Sequence, residues 1–224
     1  MPWFFPFVTA LLIATTVLML VMFVIVRTRS AIPGSRTFSL LIVSLMIWTL
    51  TNALEFSTLP PETKIFISKI QYLGITGVGP AALLFISRFT RQDQWFTPRR
   101  LAALAIFPAL TFIIALTNEW HHLLWPSITP SDVYPLLLVY EHGPWFWVTI
   151  VYSYLMMVLT STLILRAILR FPLGHVEQMR ILMAGIAIPW IGNILYITNV
   201  LPIKGLDLTP LSFSLAGILY GVAY

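Results

Sequence analysis

Seven stretches of this chain carry no charged residue over a length that matters: residues 1–26, 37–54, 70–87, 101–118, 143–165, 181–203 and 208–224. A bilayer core of roughly 30 Å is crossed by about 20 apolar residues in helical form, so each stretch reads as a transmembrane helix. Composition agrees, since 58% of residues are hydrophobic and 9% charged, outside the range of a soluble domain. The first stretch has no basic residue ahead of its apolar run and no small-residue cleavage site behind it. It therefore reads as a retained span and not as a signal peptide. The expected fold is an all-α membrane protein, a seven-transmembrane helix bundle forming one domain over residues 1–224.

Charge sets the orientation. The ten arginines fall in three groups: Arg27, Arg29 and Arg36; Arg88, Arg91, Arg99 and Arg100; Arg166, Arg170 and Arg180. These follow spans one, three and five, so the positive-inside rule makes those loops cytoplasmic, with the N-terminus outside and the C-terminus in the cytoplasm. Lys64, Lys69 and Lys204, and six of the eight carboxylates, lie on the opposite side. The net charge of +5 is divided among short loops without a continuous stripe, which argues against nucleic acid and for contact with anionic membrane lipid. Cysteine is absent, which removes disulfides and thiolate metal sites.

The loops act as connectors except for residues 118–144, NEWHHLLWPSITPSDVYPLLLVYEHGP, which are too many for a turn. Two short apolar runs flanking TPSDVYP predict a small extracellular β-hairpin lid between spans four and five. The last span ends without a basic cluster, and a cytoplasmic domain is expected to follow it.

Polar residues inside spans are costly, so each implies a partner or a cavity. Trp48, Asn52 and Glu55 stand at i, i+4 and i+7 and share one helical face. Lys69, Tyr72 and Thr76 repeat the pattern in span three, as do Pro189, Asn193 and Tyr196 in span six. All lie in the outer half of their spans, and Tyr152 and Asp207 lie at a similar depth. Two readings stand side by side. One is a shared polar cavity; the other is a structural Glu55–Lys69 ion pair with Asn52 and Asn193 joining helices through hydrogen bonds. Pro80, Pro108 and Pro189 free backbone carbonyls that must be satisfied again. LGITGVGP, with Gly74, Gly77 and Gly79, reads as close helix packing.

Several chemistries fit poorly. His121 and His122 are adjacent and diverge on a regular element, and no H-x-x-x-H spacing exists for a metal. No G-x-S-x-G and no histidine occurs within a span, and span seven has no lysine for a retinal Schiff base. Neither a cofactor nor a catalytic set is expected in this segment.

The motifs TNEWHHLLW, LLLVYEHGPWFW with VYSYL, GIAIPWIGNILY and DLTPLSFSLAG, in that order, resemble the N-terminal seven-transmembrane region of bacterial sensor histidine kinases. The resemblance covers essentially the whole chain. It includes Glu55, Lys69, Trp125, Gly143, Pro144, Asn193, Asp207 and Pro210. It implies a multi-pass protein of the bacterial inner membrane whose seventh span continues into a cytoplasmic output module, with homodimers if that module is a kinase.

The expected function is ligand sensing. A small molecule or lipid-like ligand would sit among Trp48, Asn52, Glu55, Lys69, Tyr72, Tyr152, Asn193, Tyr196 and Asp207, beneath Trp125, and act on span seven. The rival is a small-solute transporter, against which stands the absence of a repeat. Glu119, His121 and His122 are expected to anchor the lid.

Overall fold

The computed structural model describes residues 4–28, 34–57, 60–131, 137–170, 176–198 and 209–223. Helices dominate: α1 (Phe4–Thr28), α2 (Ser35–Glu55), α3 (Pro61–Phe89), α4 (Pro98–Leu116), the one-turn α5 (Asn118–His121), α6 (Pro144–Arg170), α7 (Val176–Ile197) and α8 (Thr209–Ala223). Proline opens α3, α4 and α6, where its missing N–H costs nothing and its fixed φ suits the first turn. The Thr97 hydroxyl caps α4 by accepting from the Arg100 N–H. Among the described residues, α1, α2, α3, α4 and α6 are long and apolar enough to cross a bilayer.

α7 carries Glu177 and Arg180 in its first turns and the apolar run Arg180–Leu195 along its length. The described part of α8 has 15 residues. By contrast, α3 begins nine residues ahead of its uncharged stretch and has 29 residues. It rises about 43 Å, so its first turns, with Lys64 and Lys69, extend beyond a 30 Å core.

The surface is apolar, and the interior holds polar side chains beside its apolar core. Val17 and Leu20 of α1, Ile106 and Ile113 of α4, and Val151 and Leu155 of α6 are exposed. Thr49, Asn52, Glu55, Lys64, Lys69 and Gln71 are buried. α2 and α3 form the centre, α1 and α8 pack on α2, α4 and α6 pack on α3, and α7 joins α6 to α8.

The α2–α3 seam depends on glycine. A Cβ on Gly74 would lie 2.7 Å from the Ser44 carbonyl oxygen and the Trp48 nitrogen, and one on Gly77 would lie 2.8 Å from Ser44 Oγ. These positions bring the helix backbones together, as the glycine spacing predicted. Toward the arginine end, Phe38 stacks on Phe85 at 4.4 Å within the main apolar core.

Residues 118–131 and 137–143 lie at the opposite end. Leu124 and Trp125 pack with Tyr72, Ala115 and Phe146, whereas Leu137 packs with Val8, Leu12, Ala53 and Phe56. Between these anchors β1 (Ile128–Pro130) pairs antiparallel with β2 (Leu138–Tyr140), Ile128 opposite Tyr140.

Candidate ligand site at the hairpin end

Asn118 organises the crossing segment. Its side-chain oxygen accepts from the Leu124 and Trp125 N–H groups at 3.0 and 3.1 Å, and its amide nitrogen donates to the Trp125 carbonyl at 2.9 Å. The far end of the segment ties back through Gly143 N–H to Leu124 O and Trp145 N–H to Leu123 O, both 2.9 Å. Trp125 is thereby held edge-on to Tyr72, ring centres 5.6 Å apart, and against Tyr140 at 4.9 Å.

Beneath it lies a cavity of about 70 Å³. Trp125, Tyr140 and His142 face it from the crossing segment, Asn52 and Glu55 from α2, Ser68, Gln71 and Tyr72 from α3, and Phe146 from α6. Gln71 connects the α2 face: its amide donates to Glu55 Oε2 at 3.3 Å and accepts from Trp48 Nε1 and Asn52 Nδ2 at 3.2 Å each. The Tyr140 hydroxyl reaches Ser68 Oγ at 2.7 Å and also interacts with the Glu55 carboxylate. Burial, then the Glu55 charge, push that hydroxyl far above its ordinary range, so Tyr140 stays neutral and available as a donor. Lys64 lies within electrostatic reach of Glu55.

One atom in this network is unsatisfied. Asn52 is 2% exposed and its Oδ1 has no hydrogen-bond partner among the described residues. An orphaned buried acceptor costs about 1–3 kcal/mol. A donor arriving in the cavity would recover that energy.

Trp48 does not enter this cavity. With Tyr72, Phe146, Asn193, Thr209 and Phe213 it lines a second one of about 90 Å³ beside it. Tyr72, Ile75 and Phe146 form the wall between the two. Trp48 also packs on Phe213 of α8, ring centres 5.2 Å apart.

Two expected site residues, Lys69 and Tyr152, sit elsewhere, and two more lie outside the described residues. The Lys69 ammonium pairs with Glu119 of α5 and donates to the Leu116 carbonyl at 3.2 Å. A structural Glu55–Lys69 pair is therefore replaced by Lys69–Glu119, because the two residues face different neighbours: Glu55 faces Gln71 and Tyr140, Lys69 the end of α4. The ammonium holds the Glu119 carboxyl below its ordinary range, chiefly through the hydrogen bond. Tyr152 stacks on Phe107 at 3.9 Å, and its hydroxyl makes a long 3.4 Å bond to the Leu104 carbonyl. Leu104 is the residue whose helical donor Pro108 removes, so Tyr152 supplies a donor to that carbonyl and does not line the hairpin-end cavity. The Tyr196 side chain and Asp207 lie outside the described residues.

Of the loop histidines, His121 Nδ1 accepts from the Leu123 N–H at 3.0 Å while Nε2 meets Thr117 Oγ1 at 3.1 Å. His122 takes a left-handed conformation, φ 53°, at the end of α5. They shape the turn and do not converge on a common point.

Ser68, Gln71, Tyr140 and His142 escaped the sequence reading. Lys64, Ser68 and Gln71 do stand at i, i+4 and i+7, the stagger that singled out Trp48, Asn52 and Glu55. Starting span three at residue 70 hid it.

The chain matches the family model described as the N-terminal 7TM region of histidine kinase over residues 10–224. A comparison with curated proteins finds no match. With its apolar helices and exposed apolar exterior, and with the family model spanning nearly its full length, this multi-pass membrane chain belongs to the family of histidine kinase N-terminal 7TM sensor regions.

Proposed function

We propose that the chain is the ligand-sensing domain of a signal-transducing histidine kinase or related protein of the bacterial inner membrane. In this reading seven spans place the N-terminus outside, the hairpin segment is an extracellular lid, and a cytoplasmic output module continues from α8. The observation that carries it is the buried acceptor Asn52 Oδ1, beside the Glu55 carboxylate in a hydrogen-bonded cavity. Two acceptors in a low-dielectric site favour a ligand with N–H or O–H donors, such as a small amine or alcohol.

Size adds a constraint. A cavity of about 150 Å³ holds benzene, so 70 Å³ admits only a few heavy atoms. A larger ligand must displace Trp125 and Tyr140 or merge the two cavities by moving Tyr72 and Phe146. The second movement opens the site onto Trp48 and Phe213, whose contact supplies a route to α8. Coupling of about 1–3 kcal/mol between the two arrangements is enough for signalling.

The test uses the purified protein in lipid nanodiscs, titrated with a panel of short-chain amines, diols and their methylated analogues. Tryptophan fluorescence and thermal unfolding report binding. Saturable binding that Glu55→Gln and Asn52→Leu abolish, and Tyr152→Phe leaves intact, supports the proposal. Solute flux through proteoliposomes, or binding indifferent to Glu55 and Asn52, overturns it.

A further inference from the structure

α4 and α6 separate along their length in a way the ligand site does not use. In the hairpin half they are closed together: Phe107 stacks between Trp145 and Tyr152, and Trp145 Nε1 donates to Thr111 Oγ1 at 3.2 Å. Toward the arginine end they diverge, and an open groove of about 620 Å³ lies between them over α3. That volume is within the roughly 300–1,000 Å³ of ordinary small-molecule sites.

The groove has two chemistries. Its walls are apolar, from Leu83, Leu104, Leu159 and Leu163, and they continue onto the exposed apolar surface of α4 and α6. Its mouth carries Arg100 in the first turn of α4 and Arg166 near the end of α6, both exposed. None of the described residues lining it is acidic. Its base is braced by Gln92, whose amide donates to the Leu163 carbonyl at 2.9 Å and ties the α3–α4 connection to α6. The positive end of α4 adds to the field of the two guanidinium groups.

We propose that this groove binds an anionic phospholipid of the surrounding bilayer, its phosphate between Arg100 and Arg166 and an acyl chain along the leucine wall. Guanidinium groups pair with phosphate through parallel N–H···O bonds, and the apolar wall faces the hydrocarbon from which the chain enters. A free phosphate would satisfy only the mouth. The site depends on the protein spanning a membrane and not on ligand sensing at the hairpin end, so either reading can fail alone.

The full chain is purified in detergent and offered phosphatidylglycerol, phosphatidylcholine or inorganic phosphate, with bound lipid read by native mass spectrometry and protection read by thermal unfolding. Retention of phosphatidylglycerol over phosphatidylcholine is expected. Arg100→Gln with Arg166→Gln reduces that preference on the order of twentyfold. Arg27→Gln with Arg36→Gln removes equal charge from another exposed part of the same end and leaves it unchanged. Ala103→Trp fills the groove without altering charge and also reduces retention. Equal losses in both arginine pairs, no effect of Ala103→Trp, or full protection by phosphate alone would overturn the assignment.

Discussion

Lys69 of α3 and Glu119 of α5 form an ion pair in which the lysine side chain is 10% exposed and the carboxylate 60%. The asymmetry matters, because the lysine has given up most of its contact with solvent while the carboxylate keeps much of its water. The pair joins the central helix to the segment that crosses the end of the bundle.

Of its two partners Glu119 and Leu116, removing the carboxylate leaves the buried ammonium the Leu116 carbonyl. Glu119→Ala is expected to lower stability by about 1 kcal/mol after allowance for solvent screening, and Lys69→Met in the same chain to recover most of the loss. Thermal unfolding of the single and double variants measures it; additive losses would show the two side chains to be uncoupled. The folded-state pKa of Glu119 lies below its ordinary 4.5, so this stabilisation is present above pH 4.5 and is lost as the pH falls through the lower folded value.

Asn52 offers a different signature. Its Oδ1 is buried without a partner, so Asn52→Leu removes an unfavourable acceptor while forfeiting the Nδ2 bond to Gln71, worth about 1 kcal/mol. The expected result is stability within about 1 kcal/mol of the parent together with loss of ligand-induced fluorescence change. A clear drop in stability would make Asn52 an architectural residue.

Gly143 has no room for a side chain. A Cβ there would lie 2.3 Å from the Leu123 carbonyl oxygen, a backbone atom that cannot rotate away. Gly143→Ala is expected to cost on the order of 2 kcal/mol and to raise amide exchange across 118–143 more than elsewhere. Uniform exchange would separate this contact from the order of the segment.

His142 stacks on Phe146 with ring centres 3.7 Å apart and planes within 4°. Burial depresses its pKa below the ordinary 6.5, so the unfolded chain takes up its proton first as the pH falls. Its contribution to stability is complete above pH 6.5 and declines below it, toward the lower folded value. The melting temperature should fall between about pH 7.5 and pH 5, and His142→Gln should flatten that part of the profile. An unchanged slope would remove His142 as its source.

The site was legible where polar residues interrupt an apolar helix. Trp48, Asn52 and Glu55 stood out because hydrocarbon tolerates such groups only with partners, and their spacing put them on one face. Tyr152 satisfied the same criteria of type and depth yet faces α4, since spacing within one helix says nothing about which neighbour that face meets. Tyr140 was missed for the converse reason. It acquires meaning from Glu55 and Ser68, which lie on other elements.

The amino-acid order by itself determined that this chain is a bundle of apolar helices, where its polar groups interrupt them, and that 118–143 is more than a turn, because hydrophobic length and helical period are local properties. Tertiary structure decided the partners: that Lys69 meets Glu119, that Gln71 joins Trp48, Asn52 and Glu55, and that one acceptor on Asn52 is left over. Those pairings follow from how the helices are rotated and how closely Gly74 lets α2 approach α3, quantities set by packing between distant segments.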